Sequence, residues 1–132
     1  DCLLSRGLGD VYKRQIYEQW KKYSAKRIML LMRPFKHPAA SEFSLERVLY
    51  ALSDSIRLDI VRHLARVDAA SCGELDGGRP KSTVSHHFKV LRESGLVHTE
   101  NTGTIHMNTL RRADIESRFP GLLNAILAQH NS

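Results

Sequence analysis

The segment from Pro80 to Gly95 constrains the fold of this chain more than any other stretch. Wound as a helix of 3.6 residues per turn, it places Val84, Phe88 and Leu91 on one stripe, the spacing of a side that faces a core. The opposite side carries hydroxyls, an imidazole and amines, with no acidic residue until Glu93. Such a face suits phosphates and base edges, which are rich in acceptors. The bland alternative is a solvated helix with a chance run of basic residues, and the flanking sequence argues against it.

Capping and turn residues precede this helix. Ser71 and Glu74 form a capping-box pattern, which starts a short helix that runs into Gly77-Gly78. Pro80 then stands at the start of the next helix, where its missing N–H costs little. Two helices joined by a short glycine-containing turn predict a helix-turn-helix, whose second helix enters the major groove of DNA.

The hydrophobic period changes after Gly95, a residue well suited to the C-terminus of a helix. Residues 96–100 and 104–108 are short extended runs around Asn101-Thr102-Gly103, which predicts a β-hairpin. Upstream, Ser44 and Asp54 are expected to cap two more helices with apolar stripes. The predicted fold class is therefore mainly α with a small β-hairpin (α+β), a winged helix-turn-helix.

Residues 44–112 resemble the ArsR/SmtB type of bacterial winged-helix transcriptional regulator. Three blocks carry the resemblance, residues 49–61, 72–75 and 82–97, and the last is the longest and most specific. The resemblance implies a homodimeric repressor that leaves its double-stranded operator DNA when an effector, here unknown, binds. The residues expected to contact DNA are Lys81, Ser82, Thr83, Ser85, His86, Lys89 and Arg92, with Asn101, Thr102, Gly103 and Thr104 in the wing.

The helical wheel also separates two neighbouring histidines. His86 falls in the centre of the polar face, whereas His87 lies about 60° from the apolar stripe. We therefore assign His86 to DNA and His87 mainly to packing. The wing tip lacks Arg and Lys, so its contacts are expected to be weak or hydrogen-bonded, with Arg111 and Arg112 as candidate phosphate partners.

Charge narrows the expected DNA surface. Of the net charge of +6, residues 1–43 contribute +5, from nine Lys/Arg and four Asp/Glu. Residues 44–132 contribute only +1, from eleven Lys/Arg and ten Asp/Glu. Affinity for DNA should therefore come from a local patch, doubled in a dimer, and not from the charge of the whole chain. The patch consists of Arg79, Lys81, Lys89 and Arg92.

Two apolar stripes predict a dimer interface. One lies in the helix that Ser44 begins, and the other follows Phe119-Pro120-Gly121 near the C-terminus. A stripe at the end of so small a domain has little left to cover, so a partner subunit is an alternative to ordinary core packing. The resemblance also implies that the first and last helices form the interface. The candidate residues are Leu45, Leu49, Leu122, Leu123, Ile126 and Leu127.

Residues 1–43 are interpreted as a leader and linker outside the domain of residues 44–132. Residues 1–15 resemble translated adapter sequence, and the natural start is expected at Met29 or Met32. The alternative is a genuine N-terminal extension that adds dimer surface or DNA contacts. Residues 16–32 allow a helix, but its apolar run is far too short to span a membrane. We expect a cytoplasmic protein with no membrane partner.

No metal site, cofactor or enzyme activity is predicted. Cys72 is the only cysteine of residues 44–132, and one thiolate cannot complete a tetrahedral zinc site. A metal- or thiol-responsive regulator stays open as an alternative, since His98 and His106 would face each other across a three-residue hairpin loop. Ser82 and Ser85 lie near His86 in sequence but have no evident oxyanion loop or orienting acid, which argues against an enzyme. A winged helix that binds a protein is a further alternative.

Overall fold

The computed structural model describes residues 35–102 and 105–129, which form six α-helices, one short 3₁₀ helix and a small antiparallel sheet. No helix in this part of the chain is long and apolar enough to cross a membrane. The predictions made for residues 1–34, Gly103 and Thr104 lie outside the described residues. In chain order the elements are the 3₁₀ helix Ala40–Glu42, α1 Leu45–Leu52, α2 Ser55–Arg66, β1 Ala70–Ser71, α3 Cys72–Leu75, α4 Lys81–Ser94, β2 Val97–Asn101, β3 His106–Leu110, α5 Arg112–Arg118 and α6 Leu122–Leu127.

Capping residues fix the helix ends where the sequence predicts them. Ser44, Asp54 and Ser71 precede α1, α2 and α3, and each side chain accepts a first-turn amide hydrogen bond of 2.8–3.2 Å. Pro80 precedes α4, and Gly95 ends it with a φ of +91°. Because the first amides of a helix lack partners within the helix, such side chains define its start. These five predictions are confirmed.

The sheet has three strands in the order β1-β3-β2, one more than the predicted hairpin. The added strand is β1, only Ala70–Ser71, which pairs antiparallel with β3 so that Ala70 is opposite Asn108. Two residues show no alternation of polar and apolar side chains, so periodicity could not predict this strand. It ties the middle of β3 to the residue immediately before α3.

The register of the hairpin rules out one proposed pairing. Asn101 is opposite His106, which leaves residues 102–105 as a four-residue loop. The prediction of a three-residue loop, which would bring His98 opposite His106, is therefore wrong. His98 is instead opposite Thr109, and His106 is displaced from it by three positions along β3, on the other face of the sheet.

The core forms where α1, α2, α4 and the sheet meet. The stripe predicted for α4 is confirmed, because Val84, Phe88 and Leu91 are at most 2% exposed. Leu123 of α6 is 1% exposed and belongs to the same core. The largest fully buried apolar side chains are those of Phe88, Leu91, Leu96, Ile105, Met107, Ile115, Leu123, Val48, Val61 and Val97.

The described part of the leader, residues 35–43, packs on the domain. Phe43 is 5% exposed within the core, although the domain was predicted to begin one residue later. The carbonyl of Pro38 accepts a hydrogen bond of 2.7 Å from Arg111 Nη1. Nε2 of His37 accepts one of 2.9 Å from the backbone amide of Thr99 in β2. This segment therefore covers the outer edge of the hairpin.

Candidate nucleic-acid interface

Helix α4 presents one exposed polar face, which we call the outer face. Its exposed residues are Lys81, Ser82, Thr83, His86 and Lys89, and Ser85 is half-buried. The opposite side of the helix is anchored by the buried stripe of Val84, Phe88 and Leu91. The outer face therefore carries donors and cations on a helix whose position is set by core packing. The structure brings six of the seven helix residues predicted to contact DNA to this face or its edge.

Arg92 is the seventh, and the structure does not place it there. Its side chain is buried, with 6% exposure, and its guanidinium lies 4.3 Å from the centroid of the Phe35 ring. Arg92 follows Phe88 by four residues and so lies close to the buried stripe. The local density of basic residues suggested a DNA contact, whereas the helical angle places this side chain under the leader.

His87 lies on the opposite side of α4 from the outer face. It is 6% exposed, which confirms its predicted role in packing, whereas His86 is exposed. His87 Nδ1 is 3.3 Å from Nη1 of Arg57 in α2. Because a guanidinium can only donate, this Nδ1 accepts and the ring is neutral. Burial lowers the pKa of His87, and the charge of Arg57 lowers it further against the opposing charge of Asp54.

Arg57 is the functional candidate that the sequence analysis missed. It is 5% exposed, and it also donates from Nε to the carbonyl of Ala51 at 2.7 Å and from Nη2 to that of Tyr50 at 3.0 Å. These carbonyls belong to the last turn of α1, which carries partial negative charge. An arginine three residues after the cap Asp54, with another helix ending just before it, was the available signal. Arg57 joins α1, α2 and α4.

Several polar groups in the described part of the wing bond within the domain. Asn101 and Thr102 are half-buried, and both the amide and the hydroxyl of Thr102 donate to the carbonyl of Ile105, at 2.9 and 2.7 Å. Below the tip, Thr99 Oγ1 donates to Asn108 Oδ1 at 2.7 Å. Nδ2 of Asn108 donates to the carbonyl of Ala70 at 3.3 Å, which links the hairpin to β1. These hydrogen bonds stabilise the hairpin and occupy groups that could otherwise contact DNA.

The arginines after the hairpin also have partners within the domain. Arg111 donates from Nε and Nη2 to Asp114 Oδ2, at 3.1 and 3.0 Å, besides its bond to the leader. Arg112 is exposed, and its Nη2 donates to Asn124 Oδ1 at 2.7 Å. A phosphate would have to compete with these acceptors, least severely at exposed Arg112.

Helix α1 exposes three large apolar side chains, which we call the α1 patch. Leu45, Leu49 and Tyr50 are 42%, 46% and 59% exposed. Of the predicted interface residues in α6, Leu122, Ile126 and Leu127 are partly buried against the core. Leu123 was predicted at the interface, but its side chain is 1% exposed in the core, so this prediction is wrong. The two helices therefore differ, because α1 has exposed apolar side chains whereas the large apolar side chains of α6 pack against the core.

Histidines gather around the hairpin, yet no group of three or more His, Cys, Asp or Glu within residues 35–102 and 105–129 is placed to hold a metal ion. The rings of His37 and His98 are stacked with centroids 4.1 Å apart. Burial lowers the pKa of His37 to about 4, and the nearby His98 and Arg111 add to this effect. Burial also lowers the pKa of His106 to about 4. Both rings are therefore neutral at neutral pH.

The fold has a helix-turn-helix whose second helix, α4, packs on a buried core, together with a three-stranded sheet. These features define the winged-helix class. A profile of a helix-turn-helix domain matches residues 52–100. An uncharacterized HTH-type transcriptional regulator, YceK of Bacillus subtilis (strain 168), is 36% identical over 83 residues, which are 61% of this chain and 83% of that protein. The chain belongs to this family of helix-turn-helix transcriptional regulators.

Two solved structures are similar to this chain. The crystal structure of an ArsR family transcriptional regulator has a TM-score of 0.53 and 20% identity, covering 61% of this chain and 90% of that chain. A second structure, of the transcriptional repressor BigR from Xylella fastidiosa, has a TM-score of 0.49 and 31% identity, over 64% of this chain and 88% of that chain. The first likeness shows the fold alone, which is the winged-helix fold that the resemblance read from the sequence implies.

Proposed function

We propose that this regulator is a homodimeric repressor that binds operator DNA through the outer face of α4 and leaves it when an effector binds. One observation carries the proposal: exposed hydroxyls, an imidazole and two amines share one face of a helix whose other face is fixed in the core. DNA offers acceptors on its phosphates and in the major groove, and such a face supplies their donors.

The outer face divides into two kinds of contact. Lys81 and Lys89 are compact cations at two positions eight residues apart, suited to phosphates. Ser85 and His86 are short groups near the middle of the helix, suited to base edges. Sequence preference should therefore depend on Ser85 and His86, and general affinity on the lysines.

Selection of bound duplexes from a random pool tests DNA recognition. We expect enrichment of an inverted repeat whose half-sites are roughly 34 Å apart, the spacing of successive major grooves. A variant with His86→Ala and Lys89→Ala should lose this enrichment, whereas Arg66→Ala, which removes an exposed cation from α2, should retain it. Equal binding of all duplexes by the unaltered protein would contradict sequence-specific function, and retention of a protein partner without DNA would favour a protein-binding role.

The α1 patch supports the dimer. Three large apolar side chains exposed on one eight-residue helix are unfavourable in water unless a partner covers them. Leu49→Glu should dissociate the dimer in sedimentation experiments, because it would bury an unpaired charge. Ala113→Glu adds the same charge to an exposed site in α5, outside both α1 and α6, so it should remain dimeric. A dimeric, folded Leu49→Glu protein would exclude this surface.

Repression is tested by transcription in vitro from a promoter that overlaps the selected site. We expect fewer transcripts as protein is added, because the dimer would occupy the site that the polymerase needs. An increase in transcripts would instead make the protein an activator. Release by an effector predicts that one small molecule restores transcription and also shifts the protein's melting temperature.

A further inference from the structure

Arg57 and His87 connect the two surfaces that the proposed function assigns to different tasks. Arg57 lies in the first turn of α2 and His87 in the middle of α4, and both are about as buried as the core around them. The guanidinium holds the carbonyls of Tyr50 and Ala51 at the end of α1. The same guanidinium lies 3.3 Å from the ring of His87. One buried side chain therefore contacts both the helix with the α1 patch and the helix with the outer face.

The contact between the two residues depends on a neutral histidine. Arg57 has only donors, so His87 Nδ1 must accept and its proton must reside on Nε2. A protonated ring would turn an N–H toward another N–H and would bring two cations together in a buried place. Breaking a buried charged contact in this way is far more costly than losing an exposed one.

We propose that Arg57 and neutral His87 position α4 against α1, so that protonation of His87 loosens α4 and weakens operator binding. The inference rests on the proposed function, since it requires α4 to contact DNA. Both are positioning residues, because they act through the helix while His86 on the other side occupies the outer face.

Charged groups on every element around the ring determine when it takes up a proton. Arg57 from α2, Arg79 from the turn before α4 and His86 from α4 itself oppose protonation. Asp54, the cap of α2, favours it. Burial is the largest influence and lowers the pKa of His87, so the pair is intact at neutral pH and is disrupted only on acidification.

The decisive comparison uses the same substitution at the two adjacent histidines. In His87→Asn the amide oxygen takes the place of Nδ1, so it can accept from Arg57 but cannot titrate. Binding of the selected duplex is measured from about pH 7.5 to about pH 5 at constant salt, with circular dichroism to confirm that every sample is folded. The Kd of the unaltered protein divided by that of His87→Asn should rise about fivefold or more on acidification, the scale of a typical coupling between sites. In His86→Asn, the pH-dependent weakening should persist.

A constant ratio of the two Kd values would overturn the inference while leaving DNA binding intact. Failure of the unaltered protein to bind any duplex at about pH 7.5 would overturn the proposed function as well. A second measurement needs no DNA: in an NMR titration, the amide resonances at the end of α1, including Tyr50 and Ala51, should shift with the His87 ring. Ring titration without that shift would show that the pair does not position α4.

Discussion

Helix α4 and the wing hairpin are the two regions of a winged helix that face DNA, and here they are built in opposite ways. The polar groups on the outer face of α4 point to solvent, while the apolar side is locked into the core. In the described part of the hairpin, by contrast, Thr99 donates to Asn108 and Thr102 donates to the carbonyl of Ile105. Exposed donors on a rigid helix suit contacts with another molecule, whereas donors that bond internally stabilise the hairpin itself.

The largest expected effect comes from removing a core contact of α4. Phe88 is fully buried, so Phe88→Ala should lower the free energy of unfolding by about 3–5 kcal/mol through lost burial and a residual cavity. Urea denaturation measures this change. Lys89→Ala, at the next position but on the exposed face, should change it by less than about 0.5 kcal/mol. Similar losses in the two variants would mean that α4 does not have the two distinct sides described.

Recognition by the helix is the next largest effect. Ser85→Ala or His86→Ala should weaken binding to the selected duplex by about 1–3 kcal/mol, because each removes a group that can reach a base edge. Thr102→Ala in the wing should have a smaller effect, since that hydroxyl already donates within the loop. Binding isotherms on selected and scrambled duplexes measure both. Equal loss on the two duplexes would show that the helix positions the protein without reading sequence.

Acid should weaken the folded state through two histidines, His37 of the leader and His106 of the hairpin. The folded-state pKa values of His37 and His106 are lowered to about 4, so between about pH 6.5 and pH 4 the unfolded chain binds more protons. The melting temperature should therefore fall as pH falls through this window. His37→Gln, which can still accept from Thr99 but cannot titrate, should make the fall shallower. An equal slope in His37→Gln and in the unaltered protein would remove His37 from the explanation.

The smallest effect concerns counterions. Lys89→Ala should reduce the slope of log affinity against log salt by roughly one unit, because one phosphate contact is lost. Thr102→Lys should raise that slope by roughly one unit, since it adds the cation that the wing lacks. Titrations at several salt concentrations measure both slopes. An unchanged slope in Thr102→Lys would mean that the wing tip does not reach the DNA backbone.

Local features of the fold were predictable, and features that depend on distant partners were not. Ser44, Asp54, Ser71 and Gly95 act on amides or carbonyls a few residues away, so the sequence pattern contains both partners. The stripe in α4 is equally local. The two-residue strand β1, by contrast, exists only because β3 lies beside it. No local pattern encodes that neighbour.

The same distinction applies to the candidate site. The angles of a single helix were enough to separate His86 from His87. Arg92 was wrongly assigned to the DNA surface because its charge was given more weight than its position around the helix. The residue that covers it, Phe35, belongs to the leader and lies more than fifty residues earlier in the chain. Arg57 was missed because His87 lies 30 residues away. Long-range contacts of polar side chains are the part of the site that sequence patterns leave open.

Gly95 has a consequence for how this protein can change over evolutionary time. Its φ of +91° disfavours other residues, and a Cβ at this position would also overlap the ring of Phe43. Gly121 also has a positive φ, of +80°, but open space surrounds it. A library of all single substitutions should therefore tolerate asparagine at 121 far better than at 95. Gly95 could therefore be replaced during evolution only after a smaller side chain had replaced Phe43.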